Sequence, residues 1–184
     1  MLNKHKYLPC FYYDSILDIP YDDFFKKNIK VLCFDLDNTL LSPIEQELNN
    51  NIITKLNDLK QNFKIVIISN AYFSKIRKIL EPHNLSYIYL NIFHKKPSLW
   101  GLKQTLKLFQ FSYDKVMMIG DQLRTDIASA NKMNIISVLV KPLDRKFESL
   151  NTKLIRYVVE KRFINKIKKV DLLEYKAKFE SFIK

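Results

Sequence analysis

Asp35 and Asp37 close an apolar run in VLCFDLDNTLLS, residues 31–42. The tight turn that follows, Asn38-Thr39, needs only one polar residue to form, so the second carboxylate asks for another explanation. Similar positions recur downstream. KIVIIS (64–69) runs into Ser69-Asn70, and KVMMIG (115–120) runs into Gly120-Asp121, with Asp126 a helical turn later. The intervening segment carries Lys95-Lys96-Pro97. Carboxylates gathered at one edge repel each other unless a cation joins them. Oxygen-only ligation of this kind suits Mg²⁺, which keeps several waters and takes one or two carboxylates together with substrate phosphate. A serine hydroxyl and a lysine ammonium complement phosphate oxygens. The set reads as phosphoryl transfer to a carboxylate nucleophile, with Mg²⁺ as cofactor.

Such residues work together only if the fold brings them to one place. KVLCF (30–34), KIVIIS (64–69), KVMMIG (115–120) and ISVLV (136–140) lack polar alternation, as expected of parallel strands covered on both faces. YIYL (87–90) is a weaker fifth candidate. Leu48, Ile52, Leu56 and Leu59 trace one helical face; Phe73, Ile76 and Leu80 trace another; Leu99, Leu102, Leu106 and Phe109 a third, with Ser98 as its N-cap. The β-α alternation predicts an α/β fold, an open parallel sheet with helices on both faces. Ligands bind such sheets outside the carboxyl ends of the strands, where the polar residues above stand.

Residues 1–29 are expected to form an arm packed on a core of residues 30–150, and residues 151–184 a basic amphipathic helical segment. No repeat or Gly/Ser linker divides the 184 residues. Net charge is +12, with 13 Lys or Arg against 6 Asp or Glu in residues 141–184. That balance suits anionic partners, but joint enrichment in Lys, Asn, Ile, Phe and Tyr is also what AT-biased coding produces. The aromatics are scattered and no RNA-stacking motif occurs, so nucleic acid is not the favoured partner. Cys10 and Cys33 form no disulfide framework and imply a reducing compartment. With no secretory signal and no apolar run long enough to span a bilayer, a cytoplasmic location is expected. His5, His83 and His94 lack metal-like spacing, and Trp100 reads as core.

DLDNTLL resembles the DxDxT signature of the haloacid dehalogenase (HAD) superfamily phosphatases. ISN, the Lys-Pro pair and GDQLRTD resemble its second, third and fourth motifs, in order. ISNAYFSKIR, KKP, GDQLRTDI, SVLVKPL and the flanks SILDIP and LIRYVVEKRF are similar to the YqeG-like group of subclass IIIA, itself related to mitochondrial phosphatidylglycerophosphate phosphatases. The likeness covers about residues 8 to 165. It departs at ASANKMN after the fourth motif, where the group usually has glycines, and at KKNIK before the first strand, where Asn28 can adopt the left-handed conformation in place of a glycine.

The resemblance implies a Rossmann-like three-layer HAD fold. It makes Asp35 the nucleophile and Asp37 the general acid and base, whose backbone carbonyl also ligates Mg²⁺. Asp121 becomes a side-chain Mg²⁺ ligand beside Asp35, and Asp126 a supporting group that orients Lys96 or a metal-bound water. Ser69 and Asn70 would hydrogen-bond the phosphoryl group, and Thr39 would close the turn. Lys96 rather than Lys95 is the phosphate-binding lysine, since the pattern places it directly before proline. About 27 residues separate the first and second motifs and a similar number the second and third; filled by one helix and perhaps a strand each, they leave no room for an inserted cap domain. By the family's logic such a site is open and suits a large substrate or a membrane headgroup. The leading expectation is a phosphatidylglycerophosphate-type lipid; the basic C-terminal segment either makes peripheral contact with anionic lipid at the inner face of the membrane or simply packs on the sheet with a solvated basic face. A nucleic-acid end, phosphoprotein or soluble metabolite is the second expectation, and a non-catalytic RNA- or ribosome-associated protein the third. Oligomeric state is not readable.

Overall fold

A computed structural model describes residues 5–183. Its centre is a six-stranded, all-parallel sheet. The strands are β1 (Phe11–Tyr13), β2 (Val31–Phe34), β3 (Lys64–Ser69), β4 (Tyr87–Tyr89), β5 (Val116–Gly120) and β6 (Ile136–Val140), in the order β1-β6-β5-β2-β3-β4. The arm expected over residues 1–29 therefore contributes an edge strand, β1, paired with β6. It also holds a short helix, α1 (Tyr21–Lys26). The chain runs outward from β2 through β3 to β4, then crosses back to β5 on the other side. A crevice forms where neighbouring connections diverge in this way, between β2 and β5.

Alternate strand residues feed opposite layers. Leu32 and Phe34 of β2 join Ile67 and Ile119 in a core beneath α1, α2 (Asn50–Leu59) and α3 (Phe73–Leu80). Val31 and Cys33 join Val66, Ile68 and Met118 beneath α4 (Trp100–Phe109) and α5 (Ala128–Lys132). Leu99, not Ser98, occupies the N-cap position of α4 and makes no side-chain cap; the Ser98 hydroxyl, one residue earlier, accepts from the Trp100 N–H at 3.3 Å.

The small residues of ASANK serve close packing: Ala128, Ser129 and Ala130 are buried. Asn28, Asn38, Asn84, Gln110 and Asn134 take left-handed φ values, and no glycine does. Asn28, at φ 64°, makes the turn into β2. The glycines serve close approach instead. A Cβ at Gly101 would stand 2.8 Å from Ile68 Cγ2.

The C-terminal segment forms α6 (Leu150–Ile155), a wider π-helical turn (Arg156–Glu160), α7 (Lys161–Val170) and α8 (Leu172–Lys178). Phe163, Ile164, Tyr175, Phe179 and Phe182 pack with Leu123, Ile127 and Leu139 in a third apolar cluster. The apolar face of α7 is thus spent inside the molecule.

Candidate active site

Parallel register brings the strand ends level. Phe34 pairs with Ile67 on one side and with Ile119 on the other. Asp35, Ser69 and Asp121 accordingly emerge at one edge. Lys96 arrives there on the loop after β4, through a cis bond to Pro97. Asp126 comes from a π-helical turn, Leu123–Ile127, that leads into α5.

Lys96 Nζ lies 2.5 Å from Asp35 Oδ1, 2.7 Å from Asp126 Oδ1 and 2.7 Å from the Ile68 carbonyl. All three side chains are buried. Lys95 lines the cleft without entering this cluster. Asn70 grips the Lys96 backbone in both directions: its Oδ1 accepts from the Lys96 N–H at 2.8 Å and its Nδ2 donates to the Lys96 carbonyl at 3.2 Å. The Ser69 hydroxyl accepts from the Ala71 N–H at 3.1 Å. Both residues expected to meet phosphate thus shape the loops at this edge. Thr39 is buried behind the turn, with its hydroxyl 3.5 Å from Asp121 Oδ1. Asp37 lines the cleft and pairs with Lys75 Nζ at 2.5 Å.

Gly120 has no room for a side chain. A Cβ there would stand 2.5 Å from Asp126 Oδ2, the oxygen that accepts from the Gln122 N–H at 3.1 Å. Gly120→Ala is expected to push Asp126 off Lys96. It should cost about 1–3 kcal/mol, the usual range for forced overpacking, and lower turnover with it. Denaturant titration beside a phosphate-release assay checks both; an unchanged midpoint would show that the carboxylate moves aside freely.

Three residues near the edge escaped the sequence reading. Arg156 is buried and bonds Asp121 twice: one guanidinium nitrogen pairs with Oδ2, and Nη1 donates to the backbone carbonyl at 3.0 Å. Its Nε donates to Glu148 at 2.9 Å and its Nη1 to Glu160 at 3.0 Å. Glu148 also accepts from Asn38 Nδ2 at 3.2 Å, and Glu160 from the Leu123 N–H at 2.8 Å. Arg156 therefore ties the turn after Asp37 to Asp121. A signal was present. Arg156 and Glu160 fall on the same helical stripe as Phe163, Ile164 and Ile167, and charges on an apolar stripe must be partnered inside.

The electrostatics favour a cation. Among the described residues the buried charged groups are five carboxylates against Lys96 and Arg156. One oxygen each from Asp35, Asp121 and Asp126 lies within 4.8 Å of the others. Burial, with repulsion from Asp126 and Glu160, pushes Asp121 up to about 7 even though Arg156 pulls it down. Burial also raises Asp35 well above the ordinary carboxylate range; Lys96 opposes this, while Asp126, Asp121 and Asp37 add to it. A divalent ion would relieve that repulsion, and the oxygen donor set fits Mg²⁺. The cleft in front measures about 370 Å³. Among the described residues no domain is inserted over it; Asn151 and Thr152 of α6 form one wall, and Lys95 and Arg124 add positive charge.

Comparison with known proteins places this geometry. A model of the family described as mitochondrial PGP phosphatase matches residues 1–142. The chain belongs to that family. It is a phosphatase of the HAD superfamily, and its α/β sheet is of the Rossmann-like kind. Probable phosphatase YqeG of Bacillus subtilis (strain 168) is 26% identical over 170 residues, covering 92% of this chain and 95% of the relative. Among solved structures, the HAD-hydrolase YfnB of Bacillus subtilis, bound to magnesium, aligns with a TM-score of 0.52 at 13% identity, over 71% of this chain and 99% of that one. An uncharacterized protein of Listeria monocytogenes serotype 4b aligns with a TM-score of 0.51 at 20% identity, over 66% and 86%. These two likenesses concern the fold.

Proposed function

We propose that this phosphatase is a Mg²⁺-dependent phosphomonoester hydrolase acting through an aspartyl-phosphate, with a phosphatidylglycerophosphate-type lipid as its substrate. The carrying observation is Asp35, buried against Lys96 at the mouth of a cleft that Lys95 and Arg124 also line, and beside Asp121. In this reading an Asp35 carboxylate oxygen attacks phosphorus, and the bond to the leaving oxygen breaks. Asp37 gives that oxygen a proton. Asp37 then takes a proton from water, which attacks the aspartyl-phosphate and releases inorganic phosphate with Asp35 restored. Lys96 holds Asp35 in line and offsets negative charge, and Lys75 steadies Asp37. Asp35, Asp121 and the Asp37 backbone carbonyl would hold Mg²⁺, which supplies neutralisation of carboxylate and phosphoryl charge. The family's own description and the uncovered cleft support a lipid substrate, which a cytoplasmic protein would meet at the inner face of a membrane.

The test is phosphate release from an aryl phosphate and from phosphatidylglycerophosphate in mixed micelles, with Mg²⁺ and with chelator. Mg²⁺-dependent turnover with preference for the lipid is expected. Inertness on both with Mg²⁺ present would end this reading.

Metal binding should also be visible without turnover. Between the ordinary carboxylate range and about pH 7, the folded chain holds a proton on Asp121 that the unfolded chain has lost. Stability without metal therefore falls as pH rises through that window. A cation must displace this proton, so the rise in melting temperature caused by Mg²⁺ is expected to be larger at pH 8 than at pH 5.5. Calorimetric melts at both values, with and without Mg²⁺, measure it; equal shifts would argue against binding at Asp121.

A further inference from the structure

We infer that the rim of the cleft is a docking surface for an anionic phospholipid bilayer, built from two apolar and basic patches on either side of the opening. The first patch lies on the helix that walls the cleft. Leu150, Leu154 and Tyr157 recur at helical spacing on its outer side, and all are exposed, Leu150 to 84%. Phe147 precedes them. Lys146 Nζ sits 5.4 Å from the Phe147 ring, Lys161 Nζ sits 4.9 Å from the Tyr157 ring, and Lys153 Nζ bonds the Lys146 carbonyl at 2.7 Å. Glu148 and Glu160, the acids between residues 145 and 161, are both buried on Arg156. The exposed charge of the patch is therefore wholly positive.

The second patch lies on the loop that delivers Lys96. Ile92 and Phe93 are 76% and 87% exposed, and Tyr72, just before α3, is 81% exposed. Lys95 Nζ stands 5.9 Å from the Tyr72 ring and lines the same cleft. Residues 82–113 contain no Asp or Glu.

Aliphatic side chains ringed by lysines match the acyl–headgroup boundary, where apolar groups enter the bilayer and ammonium groups meet anionic phosphates. A second copy of the chain set face to face would oppose lysine to lysine. A nucleic acid would leave Leu150, Leu154 and Ile92 in water. The expected partner surface is not the one first suggested by the tail sequence, because the apolar face of α7 is buried; it is the stripe left over on α6 together with the Ile92-Phe93 loop. The inference stands on exposure and charge, and it gains a purpose from the proposed lipid substrate.

Cosedimentation of the full chain with phosphatidylglycerol-containing vesicles and with pure phosphatidylcholine vesicles tests it, at about 0.15 M salt, where exposed charges are screened beyond about 8 Å. Binding to the anionic vesicles alone is expected. Leu150→Ser/Leu154→Ser and Ile92→Ser/Phe93→Ser should each weaken partitioning about tenfold, the effect of roughly 1.4 kcal/mol. Leu173→Ser, an exposed leucine on α8 outside both patches, should not. Aryl-phosphate turnover is run alongside. Vesicle binding by a wild type inert on both aryl phosphate and phosphatidylglycerophosphate in mixed micelles would sink the catalytic reading and leave the docking surface standing. No binding by wild type, undiminished binding by both double variants, loss through Leu173→Ser alone, or a dimer that the double variants dissociate would overturn the docking surface.

Discussion

Asp35→Asn is expected to abolish phosphate release, by roughly 10⁴-fold or more, the scale on which removing a nucleophile acts, while the fold survives. The two halves of this expectation have separate causes. An amide of the same shape cannot form the phosphoryl bond. Yet Asp35 is a poor contributor to stability as a charged group: burial and three neighbouring carboxylates all raise its pKa, and Lys96 only partly offsets them. Removing the charge leaves Lys96 its bonds to Asp126 and to the Ile68 carbonyl. In chelator at pH 8, the melting temperature of the variant should equal or exceed that of wild type. Single-turnover assays and calorimetry on one preparation measure both. Retained turnover would remove Asp35 from the nucleophile's role, and a collapsed melting temperature would make it a structural keystone instead.

Arg156→Ala should damage stability far more than any surface change. Asp121, Glu148 and Glu160 share this one guanidinium. Breaking a buried ionic cluster by deleting one partner costs about 3–5 kcal/mol, because the remaining charges stay buried and unpaired. Turnover should fall as well, since Asp121 loses the contacts that aim its carboxylate and Asn38 loses a fixed partner in Glu148. Pairing the change with Glu148→Gln and Glu160→Gln should recover part of the stability, because the repelling acids go with it. Urea titrations of the single and triple variants decide the matter. Additive losses would mean that Glu148 and Glu160 do not depend on Arg156.

The strands and the motif residues were legible because each announced itself locally. Continuous Val/Ile runs mark doubly covered strands, and the polar residue after each run marks an edge position. Asp35 and Asp121 could be placed together from that rule, and Lys96 from the family resemblance, before any contact was known, and they do converge. β1 was not legible: FYY is short, partly exposed and set among turn residues, and only pairing with β6 makes it a strand. Arg156 was missed for a different reason. In a segment with so many lysines and arginines, one more cation reads as surface, and its burial depends on acids eight residues before and four after it. Ser98 shows the limit of local chemistry. The residue with capping chemistry stands one position before the N-cap, and Leu99 takes that place.

The order in which the chain is made has a bearing on all of this. During synthesis β2, β3 and β5 are available well before Arg156, so the acidic edge is complete while its main counter-charge is still to come. The first strand must likewise wait for β6, the last, across most of the sequence. Contacts this distant are closed late and at an entropic cost. A chain released short of Arg156 would carry the nucleophile, the lysine and Asp121, but with buried acids that nothing balances. Quality control would see such a product as unfinished, and a catalytic edge would exist in stable form only on chains made through the C-terminal helices.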